Sequence, residues 1–192
     1  MIRLKSVSCL QEKGKFLVRI YNKMSTTTPY RINIIHRDKE TEVVLEINKG
    51  SLSTSSLPQT YGILQKELPH IFASQCFNKE DLPFRKEVLN TETGHLFEHI
   101  LLEYLSAEKL KSGFRIATYS GETCWDWKKE LRGTFHIKVS AGRQEKYLFY
   151  RALTSSLSLF KKIMWSFEAE YEYSGVNPYK QKLNSQKLSL AM

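Results

Sequence analysis

The sequence predicts an α+β fold: one antiparallel sheet packed against a few helices in a single domain. Three observations lead there. Within the first fifty residues four short segments, one alternating apolar and polar and the others apolar or β-branched, read as strands. Two later stretches, near 93–110 and 144–171, carry apolar residues every three or four positions. Strand-like segments return between those two helices.

Taken in order, residues 2–7 alternate, Gly14 marks a turn, and 15–21 form a short apolar run. Residues 31–36 and 41–47 are rich in β-branched side chains, with the charged Arg37-Asp38-Lys39-Glu40 between them, and read as a hairpin. Ser and Thr crowd 51–58, a connector. Tyr61, Leu64, Leu68, Ile71 and Phe72 then recur at helical spacing. Pro69 either kinks that helix or restarts it, and 82–89 adds a short helical turn. The strongest helix spans 93–110, with Thr91 or Thr93 as its cap, an apolar stripe from Leu96 to Leu105, and Gly113 as its stop. Residues 114–119 and 134–139 read as strands, and the aromatic segment 121–127 as strand or loop. Residues 144–171 form the last helix, whose apolar face runs from Tyr147 to Phe167. The expected organisation is a strand-rich lead-in over 1–50, a core over 51–173 and a polar tail over 174–192.

Composition narrows the function classes. A chain of 192 residues suffices for one core without cross-links. No apolar run approaches the ~18 residues of a membrane span, and the first residues lack a signal-peptide core. Cys9, Cys76 and Cys124 share no paired spacing, which predicts reduced thiols and a cytoplasmic protein. Three cysteines exclude a four-cysteine zinc site, and inert burial is the expectation for Cys76 and Cys124 over pairing with a histidine as a nucleophile. Lys and Arg number 29 against 20 Asp and Glu, a formal charge of +9. That balance suits nucleic acid in principle, but no nucleic-acid motif accompanies it, and nucleic acid is not the expected partner.

The chemistry-bearing pattern is His95-Leu96-Phe97-Glu98-His99. Residues four apart on a helix share a face, so two imidazoles can take one zinc ion, with Glu98 beside them as general base. H-x-x-E-H is the inverted form of the zinc-protease helix motif. The plain alternative is a pair of histidines that pack or hydrogen-bond. A third ligand is needed; the acidic candidates are Glu122, Glu103 and the cluster Glu168, Glu170 and Glu172, with Glu103 also suited to steadying a histidine. Trp125 and Trp127 line a cleft or fill the core. No G-x-S-x-G elbow and no phosphate-binding loop is present.

Leu68-Pro69-His70-Ile71-Phe72 followed by Cys76, then Gly94-His95 through Glu103, then Glu122-Thr123, the 133–139 strand and Tyr150-Arg151-Ala152-Leu153, together resemble the N-terminal domain of cyanophycin synthetases. The likeness runs over about 57–159. It implies a domain that holds a peptide-like polymer and, in some members, clips it as a zinc-type hydrolase. The implied roles are His95 and His99 for metal, Glu98 for the base and Glu122 for the remaining acidic position. Apart from the resemblance, Glu103, Trp125, Trp127 and His136 are candidates for standing near metal or substrate, the Cys124–Trp127 segment being unlike the family's pattern. The ATP-using ligase domains of the family have no counterpart here. The resemblance therefore also admits a non-catalytic polymer-binding module working with a separately encoded ATP-dependent ligase.

Overall fold

The computed structural model describes residues 8–12, 15–19, 29–76 and 83–174. Strands β1 (Ser8–Glu12) and β2 (Lys15–Arg19) pair antiparallel as a two-stranded sheet. The main sheet contains β3 (Tyr30–His36), β4 (Thr41–Ile47), β5 (Gly121–Cys124) and β6 (Thr134–Val139) in the order β3-β4-β6-β5, every neighbouring pair antiparallel. The described residues also form four α-helices: α1 (Thr60–Glu67), α2 (Phe84–Glu87), α3 (Thr93–Lys111) and α4 (Lys146–Ser174). This is the α+β architecture the two periodicities predict.

Period two sorts the sheet into a buried face and a wet one. Ile32, Ile34, Val43, Leu45, Phe135 and Ile137 point inward and are essentially fully buried. On the other face Arg31 pairs across the strands with Glu46 at 3.2 Å, in register. The charged tetrapeptide closes the β3–β4 hairpin through a bond from the Arg37 amide to Glu40 O at 2.8 Å.

Pro69 restarts the chain rather than kinking it. Helix α1 ends before Leu68, and Pro69 opens a short 3-10 turn, Pro69–Ala73, where its missing N–H costs nothing. The helices α3 and α4 meet through Phe97 and Phe160, whose rings lie edge to face at 5.1 Å. Trp165 interrupts α4 with φ −130° and ψ 21°, and its ring stacks on Tyr30 at 5.8 Å. At the start of α4 the inward residue is Phe149, whereas Tyr147 is 73% exposed.

Two sequence expectations are corrected. Residues 114–119 are not a strand; the edge strand is β5, immediately after them. Phe114 and Ile116 alternate as a strand would, but they are exposed and have no sheet neighbour. Tyr119 instead ties that segment to the start of α4 through Glu145 at 2.9 Å. The cap of α3 is Glu92, without a side-chain hydrogen bond, rather than Thr91 or Thr93. The expected strand over 2–7, the turn at Gly14 and residues 175–192 of the expected tail lie outside the described residues. No described helix is long and apolar enough to cross a membrane.

Candidate metal centre

The first turn of α3 sits directly on the sheet. A Cβ on Gly94 would fall inside the Phe135 ring of β6, so only glycine lets the helix approach this closely. That seat sets the height of His95, the next residue. Thr91 stands just ahead of the helix, clamped to Thr54: the Thr91 amide donates to Thr54 Oγ1 at 2.9 Å, and the Thr54 amide donates to Thr91 O at 2.8 Å. Both threonines are buried. Cys76 follows the Pro69–Ala73 turn, and its segment is held against α2 by an isolated bridge between Gln75 and Pro83 and by the Phe84 amide donating to Ser74 O.

These elements bring three donor atoms together. His95 Nε2 lies 3.3 Å from Cys76 Sγ and 3.2 Å from His99 Nε2. The ligand atoms of Cys76, His95 and His99 all fall within 4.8 Å of one another. A tetrahedral ion with Zn–N near 2.05 Å and Zn–S near 2.3 Å separates two nitrogens by about 3.3 Å and nitrogen from sulfur by about 3.6 Å. The donor set suits such an ion in kind, and the two distances to His95 match its spacing, while Cys76 and His99 must close from as much as 4.8 Å to share it.

The surroundings favour the ligand forms. Burial lowers the pKa of His95, against a smaller opposing pull from Glu87. Burial, reinforced by His95, lowers His99 to about 3. Both rings are thus neutral at pH 7, with lone pairs available. Thr91 Oγ1 lies 2.8 Å from His95 Nδ1 and can accept its N–H, which leaves Nε2 facing the other donors. The ring of Phe84 stacks on His99, with centroids 3.9 Å apart, and dries that side.

Glu98 points elsewhere. Its carboxyl turns to β5, where Thr123 Oγ1 donates to Oε2 at 2.5 Å. The residue is 4% exposed, and burial raises its pKa to about 7 despite the Thr123 hydrogen bond, with Glu122 adding to the rise. A Cβ on Gly121 would lie 2.5 Å from Glu98 Oε1, so the glycine makes room for the carboxyl.

The remaining sequence candidates are scattered. Glu122 is exposed on β5 and is not in the donor group; the third donor the fold supplies is Cys76. Glu103 is half-buried, its pKa raised by burial against the pull of His70, and it too stands outside the group. His136 lies on the wet face of β6 and bonds Glu130 at 2.7 Å. Trp125 and Trp127 both pack edge-on against Phe135, and Trp127 Nε1 donates to Thr134 O at 3.1 Å. Trp127 also lines a cleft of about 400 Å³ with Glu92 and Arg132, apart from the three donors. The side chains of Glu168, Glu170 and Glu172 lie outside the described set.

Cys76 and Thr91 are the site residues that spacing does not reveal. Nineteen positions separate Cys76 from His95, and no local periodicity links them; the one signal for Cys76 is the cysteine in the motif set described above. No protein-family model matches the chain, and no curated protein is significantly similar to it.

Proposed function

We propose that this protein holds a zinc-class divalent ion on Cys76, His95 and His99 and hydrolyses peptide-like bonds there. The observation that carries the reading is the convergence of one thiol and two imidazoles within 4.8 Å. Three protein donors leave one position of a tetrahedral ion for water or substrate, which is the pattern of catalytic rather than structural zinc. When bound, such an ion lowers the pKa of a water towards neutrality.

The chain's own residues supply the rest. Thr91 holds the tautomer of His95, and burial keeps both rings unprotonated. Glu98, with a pKa raised to about 7, exists in both protonation states near neutrality, as a general acid–base group must. The likeness of the motif set to the cyanophycin synthetase N-terminal domain supports a peptide-like polymer as substrate. A cytoplasmic setting suits a cysteine that must stay reduced to act as ligand.

The hydrogen bond from Thr123, which turns Glu98 towards β5, favours a second reading: a metal-bearing, non-catalytic module that binds polymer for a separate ATP-dependent ligase. Metal analysis combined with peptide-bond cleavage separates the two. The hydrolase reading expects one zinc per chain, lost in Cys76→Ala, and a Glu98→Gln protein that keeps zinc but cleaves about 10²–10⁴-fold more slowly. Zinc retained with no cleavage by the wild type supports the second reading. A wild-type protein that binds no zinc refutes both.

A further inference from the structure

Strand β5 leaves the sheet open beside α3. In the β5–β6 pair, Glu122 stands opposite Lys138 and Cys124 opposite His136, and the Ser140 amide donates to Ser120 O at 2.9 Å just ahead of the strand. Hydrogen-bonded pairs recur at every second residue of an antiparallel ladder. Ser120, Glu122 and Cys124 therefore turn their backbone groups to β6. The N–H and C=O groups of Gly121 and Thr123 turn the opposite way, off the sheet, and no described strand lies on that side.

Sheet edges are usually blunted by charge, proline or a covering element. Gly121 and Thr123 carry neither charge nor proline, and the one charge on the strand, the exposed Glu122, lies between them; Trp125, 36% exposed, follows the strand. The same two residues face α3 on their other side, Thr123 through its bond to Glu98 and Gly121 through the space it cedes to that carboxyl. At about 100° per residue, Glu98 and His99 flank His95 on the helix, some 60° to one side and 40° to the other. His95 is the least buried of the three donors and lies on the arc between the β5 side and the Phe84 side.

We propose that the open edge of β5 takes an extended polypeptide segment as an added strand, held by main-chain hydrogen bonds to Gly121 and Thr123, and so carries a main-chain amide past the metal helix. This rests on the hydrolase reading for its purpose, though not for its binding. Recognition of this kind is read from the peptide backbone and tolerates sequence, with flanking side chains setting preference. Trp125, at the end of the strand, favours an apolar residue at that end of the bound segment. The occupant is a flexible segment rather than a second folded copy. Four strand residues make a strip about 13 Å long and one strand spacing, about 5 Å, wide, on the order of 100 Å², far short of the roughly 1,200 Å² that a stable interface between folded proteins buries.

The test uses the full chain with its metal chelated, so that nothing is cleaved. The probe is a capped nonapeptide alternating valine with glutamate, alongside the same peptide N-methylated at every amide. Amide hydrogen exchange is followed by NMR. The unmodified peptide is expected to slow exchange at Gly121 and Thr123 about tenfold, and the N-methylated peptide to leave it unchanged. Thr123→Pro, which removes the outward N–H together with the hydroxyl that bonds Glu98, is expected to weaken binding about tenfold, roughly one hydrogen bond. Thr123→Val, which keeps the N–H and loses the hydroxyl, is expected to bind like the wild type. Equal effects from both peptides, or none from either, would overturn the proposal. So would protection that appears without peptide and grows with protein concentration, which would put a second copy on the edge. The peptide comparison needs no variant, so a misfolded Thr123→Pro protein leaves it intact. Edge binding without any cleavage after zinc is restored would count against the hydrolase reading alone.

Discussion

The hydroxyl of Thr91 stands 2.8 Å from Nδ1 of His95, on a backbone itself clamped to Thr54. It places a hydrogen-bonding partner behind a candidate metal ligand, which holds the ring orientation and, when it accepts from Nδ1, leaves Nε2 free to bind an ion. Thr91→Val keeps the shape and removes that partner. Zinc affinity is expected to fall about 10–100-fold, while the metal-free protein loses about 1–3 kcal/mol of stability. Competition titration with a zinc chelator and urea unfolding measure the two quantities. Unchanged affinity would remove Thr91 from the site.

Glu98 predicts a pH dependence of known sign. Its folded pKa is raised to about 7 from an ordinary 4.5. Between those values the folded state keeps a proton that the unfolded chain has released. Stability therefore falls as pH rises from 4.5 to 7, by up to about 3 kcal/mol from this residue. Glu98→Gln is expected to flatten that part of the profile. Chemical unfolding of both proteins at half-unit pH steps would show it, and parallel profiles would contradict it.

His36 predicts the opposite slope. Burial, with Lys146 and Arg143 nearby, lowers its pKa to about 4 from 6.5. Its Nδ1 lies 2.8 Å from Thr41 Oγ1, while its Nε2 is buried with no partner among the described residues. The unfolded chain takes up a proton below pH 6.5 that the folded state refuses until about 4. The contribution of His36 is complete above 6.5 and is lost as pH falls through that window. His36→Gln is expected to unfold with a shallower dependence between pH 6.5 and 4 than the wild type, by the same assay.

Gly94→Ala sets two effects against each other. Alanine favours a helix by up to about 1 kcal/mol over glycine. Its Cβ would collide with Phe135, and overpacking of this kind costs about 1–3 kcal/mol. The collision is with a fully buried ring, so net destabilisation is expected, with Tm lowered by about 2–4 °C for each kcal/mol. A Tm equal to or above that of the wild type in differential scanning calorimetry would show that the helix simply lifts away.

The sheet and the long helices were legible because one physical rule governs each. Ile32, Ile34, Val43, Leu45, Phe135 and Ile137 follow the pleat, and Leu96, Ile100, Leu101 and Leu105 follow the helix turn. The edge was misplaced because Phe114 and Ile116 alternate like a strand without any neighbour to pair with, and pairing is a long-range property. His95 and His99 stood out because four residues make one helical turn. Cys76 joins them through a tertiary contact, so its thiol reads as one more small buried side chain. Thr91 looked like a cap since helix starts favour threonine, yet its hydroxyl bonds an imidazole rather than a backbone amide.

Gly94 also decides when the site becomes ordered. With the first turn of α3 lowered onto Phe135, the backbone bearing His95 and His99 cannot rock without opening the core. The entropy of fixing those two ligands is surrendered as the chain folds, not as an ion arrives. On the proposed reading, zinc meets two helix ligands already placed by folding and binds with no gain in far-UV circular dichroism, in contrast to small zinc domains that fold around their metal.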